Sequence, residues 1–223
     1  MGPQRRRPVP LGEDIFQTLR REILRADLTP GQRLIEEKTA ARFAASRTPV
    51  REAFLKLERE GLVLRRARGG FVVGRVDLED MEEIMDMRAV LEGHAAARAA
   101  RRSTPELVEK LKQGLGRYQE AMDKGDVETL IRANTDFHDL LYQASGSKRL
   151  KSMLEELRDY FYRFRKHILG LRGMSQRSHQ DHVMMVEAIA GGDAVRAEEL
   201  VREHISRARR ALRQEGTKGN LEL

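Results

Sequence analysis

Hydrophobic residues recur every three or four positions along most of the chain, which is the spacing of one face of an α-helix. The first such stretch is followed by two shorter ones, with a tight break between them. Two short runs rich in β-branched residues come next, on either side of a basic tip that contains glycine. Helix, turn, helix and two-stranded wing, in this order, predict a winged helix-turn-helix over residues 11–74. The predicted elements are helices over 11–26, 35–43 and 47–60 and strands over 62–64 and 71–73.

The rest of the chain keeps the helical pattern and shows no alternation typical of a strand. Thr104-Pro105 is typical of a helix start, and segments that contain glycine separate the later helices. We predict six helices that form an antiparallel bundle over residues 79–214. The fold class is therefore mostly α, with a flexible basic tail at 1–10, a linker at 75–78 and a second tail at 215–223.

Positive charge is concentrated in the first part of the chain. Residues 1–76 contain 17 Lys and Arg and 9 Asp and Glu, a net charge of +8, while the remaining residues sum to −1. An excess of this kind suits a surface that binds the phosphates of duplex DNA. The chain has no Cys, which excludes disulfides and thiolate metal sites. No apolar run reaches the roughly 18 residues of a membrane helix, so we expect a cytoplasmic protein that does not contact a membrane.

The second helix of the motif has the features of a helix that reads DNA bases. Ser46 is a candidate N-cap, and Pro49 falls in the first turn, where its missing N–H does not weaken the helix. Arg47 and Arg51 are four residues apart, so both lie on one face near the N-terminus. A guanidinium can pair with O6 and N7 of guanine in the major groove. The alternative is a solvated basic face on a small helical domain.

Two segments of this region, PGQRL and SRTPVREAFLKLEREGLV, are followed by a wing that contains glycine. In this order they resemble the DNA-binding domain of GntR-type bacterial transcription regulators. The resemblance implies that Arg47, Thr48 and Arg51 contact operator DNA and that Gly70, at the wing tip, lies in the minor groove. Arg68, in the basic tip of the wing, is a further candidate DNA contact.

The resemblance has two departures. Ala44 stands at a turn position where glycine is usual, and Arg68-Gly69-Gly70 stands where Asn-Arg-Gly is common. If the turn requires a positive φ, Ala44 carries backbone strain, because a Cβ disfavours that conformation. Both departures lie outside the helix that carries the two arginines.

Three of the six histidines are placed where an antiparallel bundle can bring them together. His138 follows Asn134 by four residues on one helix face, while His182 and His204 lie on the last two predicted helices. Imidazole nitrogens and one amide oxygen suit a divalent transition metal, with a position left for water or a ligand. Spacing alone leaves an alternative, in which these histidines form hydrogen bonds within the core.

Three segments, RAVLEGHAAARAA, NTDFHDLLYQASG and DHVMMVEAIAGGD, are similar to the all-helical FCD-type effector domain of FadR-like regulators. The resemblance implies a metal site with four ligands: Asn134, His138, His182 and His204. Asp is frequent where Asn134 stands, and an uncharged amide oxygen is the weaker ligand. We expect Zn²⁺, with Ni²⁺ and Mn²⁺ as alternatives.

Arg88 lies among apolar residues on the first helix of the bundle, where a charged side chain requires a partner. One partner could be Glu92, four residues further along the helix. The resemblance implies instead that Arg88 clamps the carboxylate of a small organic-acid effector. Both alternatives stay open, and Arg88 is the candidate effector-binding residue.

These features predict a DNA-binding transcription regulator, not an enzyme, that acts as a homodimeric repressor on a pseudo-palindromic operator. A metal and a small carboxylate in the helical domain would control operator affinity. The first alternative is a metal-dependent hydrolase that the winged helix tethers to DNA, although no general base could be assigned to it. The second is a metal-free regulator whose helical domain only dimerises.

Overall fold

The computed structural model describes residues 10–25, 27–67, 69–75 and 78–217, except for the side chains of Arg163, Lys166 and Thr217. The chain forms two compact units, and the second begins at the fourth helix. Four predicted features lie wholly or partly outside the described residues: Arg68 and the segments 1–10, 75–78 and 215–223.

The winged-helix unit contains three helices and three strands among its described residues. In chain order they are α1 (Leu11–Leu24), β1 (Arg33–Leu34), α2 (Glu36–Arg42), α3 (Arg47–Arg59), β2 (Val63–Arg65) and β3 (Phe71–Val73). The apolar stripe of α1 packs against the buried face of α3, and α3 contacts the wing, where the ring centroids of Phe54 and Phe71 lie 5.3 Å apart. This core fixes α3 and leaves its opposite face exposed. The predicted winged helix-turn-helix is confirmed.

The sheet has one more strand than the sequence predicts. β2 and β3 form the expected antiparallel hairpin, with Val63 opposite Val73 and Arg65 opposite Phe71. On its other edge β3 pairs with β1, where Leu34 lies opposite Phe71. The strand order is therefore β1-β3-β2. Two residues are too few to show an alternating pattern, so β1 could not be recognised from the sequence.

The turn between α2 and α3 has the strained residue that the sequence suggested. Ala44 has a φ of 48°, the only positive φ of a non-glycine residue in the described part of the chain. An L-residue with a Cβ is disfavoured in this conformation by about 1 kcal/mol. Ser46 precedes α3 with an extended backbone, but its side chain makes no capping hydrogen bond with the described residues. Backbone hydrogen bonds from the N–H groups of Ala44 and Ala45 to the carbonyls of Ala41 and Ala40 hold the turn, although Ala44 does not favour this conformation.

The helical unit contains six helices among its described residues, as predicted. They are α4 (Leu78–Arg101), α5 (Pro105–Asp123), α6 (Val127–Ala144), α7 (Lys148–Gly170), α8 (Met174–Ala190) and α9 (Ala194–Thr217). Side-chain oxygens cap four of these helices: Thr104 on α5, Asp126 on α6, Ser147 on α7 and Asp193 on α9. α9 ends at Thr217, three residues past the predicted end of the bundle at 214. No helix within the described ranges is long and apolar enough to cross a membrane.

α4 and α9 share the most extensive contact in the helical unit. Small residues on α4, among them Ala96, Ala99 and Ala100, are buried and allow this close approach. At Gly93, an added Cβ would lie 3.0 Å from Cγ of Arg202 on α9. Because α4 lies against α9, the polar residues of α4 are near the middle of α9, where His204 lies.

Candidate functional site

The exposed face of α3 carries the arginines that the sequence placed near its N-terminus. The side chains of Arg47 and Arg51 are each 60% exposed, and Thr48 between them is exposed as well. On the opposite face, Val50 and Phe54 are fully buried. The helix is therefore presented in the way that base reading in a major groove requires, with its polar N-terminal turn outward.

Both arginines are paired with the first turn of α2. Arg51 donates two hydrogen bonds to Glu36, from Nε to Oε1 at 2.9 Å and from Nη2 to Oε2 at 2.7 Å. Arg47 forms an ion pair with the neighbouring Glu37. The Arg51 guanidinium holds the pKa of Glu36 below its ordinary value. Glu36 thus fixes the plane of the Arg51 fork before DNA is bound, a contact that the sequence analysis missed.

The wing tip requires its glycines. Gly69 and Gly70 have φ values of 83° and 81°, in the region that favours glycine. The turn is closed by hydrogen bonds from the Gly69 N–H to the Arg66 carbonyl and from the Arg66 N–H to the Gly70 carbonyl, both 3.0 Å. Gly70 is exposed at this tip. Arg68, which the sequence also proposed for DNA contact, lies outside the described residues.

Three histidines from three helices converge inside the helical unit. His138 of α6, His182 of α8 and His204 of α9 each offer a ring nitrogen, and these atoms all lie within 4.8 Å of one another. His138 and His182 are buried, while His204 is slightly exposed. The convergence that the sequence predicted is therefore present in the fold.

The surroundings of His182 favour a metal site over the alternative, in which the histidines form hydrogen bonds within the core. Its side chain is 0% exposed. Neither Nδ1 nor Nε2 has a hydrogen-bond partner among the described residues. Its ring stacks on Phe137, with 4.1 Å between ring centroids. Leaving buried polar atoms unsatisfied is unfavourable, whereas a metal ion bound to one nitrogen would satisfy that atom. The histidine cluster therefore fits a divalent metal.

The other two histidines are each oriented by a carboxylate. Nδ1 of His138 lies 2.7 Å from Oε2 of Glu92, and Nδ1 of His204 lies 3.1 Å from Oδ2 of Asp181. Both contacts leave Nε2 available, which is the arrangement that metal-binding histidines commonly have. Burial lowers the pKa of His138 to about 4, so its ring stays neutral with a lone pair to donate. Asp181, next to His182 in the sequence, was not recognised.

Asn134 is buried on α6, one turn before His138. Its Nδ2 lies 3.4 Å from Oγ of Ser178 on α8. The side chain lines the same cavity as His138 and His204. Asn134 is therefore near the cluster, and its amide oxygen is the candidate fourth ligand.

The cavity beside the histidines, which we call the histidine cavity, offers about 30 Å³ to the centres of water-sized molecules, and about 470 Å³ of empty space when the open solvent at its mouth is included. Arg88 lines it and forms the ion pair weighed above, with 2.7 Å from Nε to Oε1 of Glu92. This pair does not use the whole guanidinium, because Nη1 is buried without a partner in the described part of the chain. Arg88 can therefore pair with Glu92 and still bind an effector carboxylate, so the two alternatives are compatible.

A second buried arginine, Arg165 of α7, lines the same cavity and was missed by the sequence analysis. Burial lowers its pKa to about 10. The signal was available: Phe161, Phe164 and Ile168 form the buried stripe of α7, and Arg165 lies on that stripe. A charged residue at such a position suggests a buried polar contact.

Comparison with known protein families gives one match for each of the two units. Residues 11–73 match the family of bacterial regulatory proteins named gntR, and residues 83–207 match the FCD domain. The chain is 31% identical to the uncharacterized HTH-type transcriptional regulator YdhC of Bacillus subtilis over 199 residues, 89% of this chain and 79% of that protein. It is 28% identical to the HTH-type transcriptional repressor RspR of Escherichia coli, over 93% of this chain and 92% of that protein.

A solved structure, that of the E. coli protein McbR/YncC, has a TM-score of 0.74 and 26% identity to the chain. The match covers 93% of this chain and 99% of that one. These relatives are transcription regulators, which confirms the prediction of a regulator rather than an enzyme. The chain therefore belongs to the GntR family of bacterial regulatory proteins, as a DNA-binding transcription regulator whose second half is an FCD ligand-binding domain.

Proposed function

We propose that the chain is a homodimeric repressor whose operator affinity is controlled by a divalent metal and a small carboxylate in the helical unit. RspR, one of the relatives, is named a transcriptional repressor, which supports the direction of regulation. The single observation that carries the metal is the buried His182, whose ring nitrogens lack partners within the described residues beside two oriented histidines.

The metal ligands in this proposal are the three histidines and the amide oxygen of Asn134. The donor set of imidazole nitrogens and a neutral oxygen suits Zn²⁺ first, with Ni²⁺ and Mn²⁺ as alternatives. A bound ion supplies a Lewis acid that attracts a carboxylate oxygen of the effector. Glu92 and Asp181 hold the rings of His138 and His204 in place.

The effector is a small organic acid whose carboxylate reaches Arg88. Arg88 lines the cavity that His138 and His204 also line, and its Nη1 has no hydrogen-bond partner among the described residues. A charge-assisted hydrogen bond from this atom would both recognise the carboxylate and satisfy the buried N–H. Binding controls DNA affinity only if the carboxylate favours one geometry of the dimer over another.

On DNA, α3 enters the major groove and the wing the minor groove. Arg47 and Arg51 contact base edges, Thr48 supports them, and Gly70 approaches the minor groove with Arg68 beside it. Two copies of the chain are needed to read two half-sites. An exposed apolar stripe on α4, with Met87 at 47% and Val90 at 50% exposure, is the surface where a second copy would pack.

Elemental analysis tests the metal site directly. Protein purified without a chelator or a histidine tag should contain about one metal ion per chain. The His182→Ala/His204→Ala variant should contain almost none, since two of the proposed ligands are removed. His94→Ala, which removes an exposed histidine, is the control and should keep the metal.

The opposite result has a clear meaning. Wild-type protein that holds no metal after soaking with Zn²⁺, Ni²⁺ and Mn²⁺ in turn would contradict the proposal. The alternative of a metal-free regulator, whose helical unit only dimerises, would then be favoured.

A further inference from the structure

We propose that the effector is a short aliphatic dicarboxylate, with one carboxylate at the metal and Arg88 and the other at Arg165. This inference rests on the function proposed above, because it names the chemical class of the effector for that same cavity. It depends on three features of the cavity: a buried arginine whose hydrogen bonds are incomplete, an excess of positive charge, and an apolar wall.

Arg165 is buried, with 2% of its surface exposed, yet much of its guanidinium is unpaired. Its Nη1 donates a hydrogen bond to Oγ1 of Thr135. Its Nε and Nη2 are buried and have no hydrogen-bond partner among the described residues. Burial of a cation in this state is strongly unfavourable unless an anion completes its hydrogen bonds. The cavity that Arg165 lines is the place where such an anion can bind.

Two acids, Glu92 and Asp139, interact electrostatically with Arg165, and both are already engaged. Glu92 pairs with Arg88 and His138. Oδ2 of Asp139 accepts a hydrogen bond from Arg158 at 2.6 Å. Oδ1 of Asp139 is buried and lacks a partner within the described ranges. A structural pair between Arg165 and Asp139 is therefore the rival explanation, and the experiment below must separate it from effector binding.

The charge of the cavity favours a ligand with two negative charges. The described lining residues include four arginines and one acid, Asp181. The arginines are Arg88, Arg165, Arg177 and Arg207. A second acid, Glu92, pairs with Arg88. Arg177 and Arg207 share the single charge of Asp181. A divalent metal would add further positive charge at the histidines. A monocarboxylate at the metal and Arg88 would neutralise one charge, whereas the second carboxylate of a dicarboxylate could complete the hydrogen bonds of Arg165, which lines the same cavity.

The remaining wall of the cavity is mostly apolar. It would contact the part of the ligand between the two carboxylates and favours an apolar group there. Side chains of this kind include Met85, Phe161, Ile168, Leu169 and Ile205. The guanidinium carbons of Arg88 and Arg165 lie 4.0 and 5.5 Å from the centroid of the Phe161 ring. Methylene groups match this surface better than the hydroxyls of a sugar acid, which would lose hydrogen bonds to water. We therefore infer a chain of a few methylenes.

Binding of matched acids to the metal-loaded full chain tests this inference. Calorimetric titration with succinate and glutarate should give dissociation constants about 10- to 100-fold lower than titration with acetate and butyrate. The Arg165→Met variant should lose this preference while it keeps the metal. Its thermal midpoint without ligand should be equal to or above that of the wild type, because an uncompensated buried charge is removed.

Arg158→Met is the matched control, since Arg158 lies on the same helix and is already paired with Asp139 and Asp159. It should keep the preference for dicarboxylates. Equal affinities of wild-type protein for mono- and dicarboxylates, or a preference that survives in Arg165→Met, would overturn the inference. So would a clear fall in the thermal midpoint of ligand-free Arg165→Met, because Arg165 would then stabilise the fold as part of a structural pair.

The same titrations separate failure of the dicarboxylate inference from failure of the proposed metal and effector site. Wild-type protein that holds metal and binds acetate as well as succinate would overturn the dicarboxylate alone. Wild-type protein that holds no metal and binds none of the four acids would overturn the proposed effector site, and the dicarboxylate with it.

Discussion

Arg51→Ala is expected to lower operator affinity by about 30-fold or more, because each half-site would lose the proposed bidentate contact of Arg51 with a guanine. The side chain is 60% exposed on α3, so the fold should be retained. The thermal midpoint should stay within about 2 °C of the wild type, as is usual when an exposed ion pair is removed. Fluorescence anisotropy with an operator selected from a random duplex library measures the affinity.

Arg59→Ala is the matched control for charge, since Arg59 is exposed at the opposite end of the same helix. Its effect should be smaller and similar for all DNA sequences, as expected for loss of a phosphate contact at most. If Arg51→Ala bound the operator as tightly as the wild type did, α3 would not be the element that reads bases. Unfolding of the variant would be detected by circular dichroism in the same samples.

Glu92→Ala is expected to destabilise the chain by about 3–5 kcal/mol, the usual effect of removing one partner of a buried ion pair. Glu92 is buried and binds Arg88 and His138 at once. Although burial alone would raise it, Arg88 and His138 hold the pKa of Glu92 below its ordinary value, so the group is charged in the fold. Urea denaturation of the metal-free protein measures the free energy of unfolding.

Two variants serve as controls for this prediction. Glu187→Ala removes an exposed carboxylate from α8 and should have little effect on stability. Arg88→Met/Glu92→Leu removes both charges and should be less destabilised than Glu92→Ala, because no buried charge is left alone. A loss below about 1 kcal/mol in Glu92→Ala would mean that water reaches Arg88 and compensates it.

The elements of the fold were largely predictable because they depend on local patterns. The apolar spacing of α1, the Thr104-Pro105 start of α5 and the glycine-containing breaks between later helices all act within a few residues. β1 was missed because two residues carry no periodicity, and its pairing with β3 depends on a contact between distant segments. The strain at Ala44 could be anticipated only through the resemblance, as nothing in its neighbours requires a positive φ.

The sites were predictable only in part, for a related reason. Residue type and helix order placed His138, His182 and His204 together, and the fold brings them within reach of one ion. Arg165 and Asp181 matter through their neighbours on other helices, which the sequence does not reveal. The pairing of Arg51 with Glu36 likewise needs the angle between α2 and α3.

Operator affinity measured with and without the ligands tests most directly whether the helical unit controls DNA binding. Metal-loaded wild-type protein should change its operator dissociation constant by about tenfold or more when saturating succinate is added, with acetate tested in parallel. His182→Leu, which keeps the volume of the buried side chain but offers no ligand nitrogen, should show no such change. An operator affinity that is the same in all these states, in wild-type protein shown to hold the metal and bind an acid, would contradict control by this site.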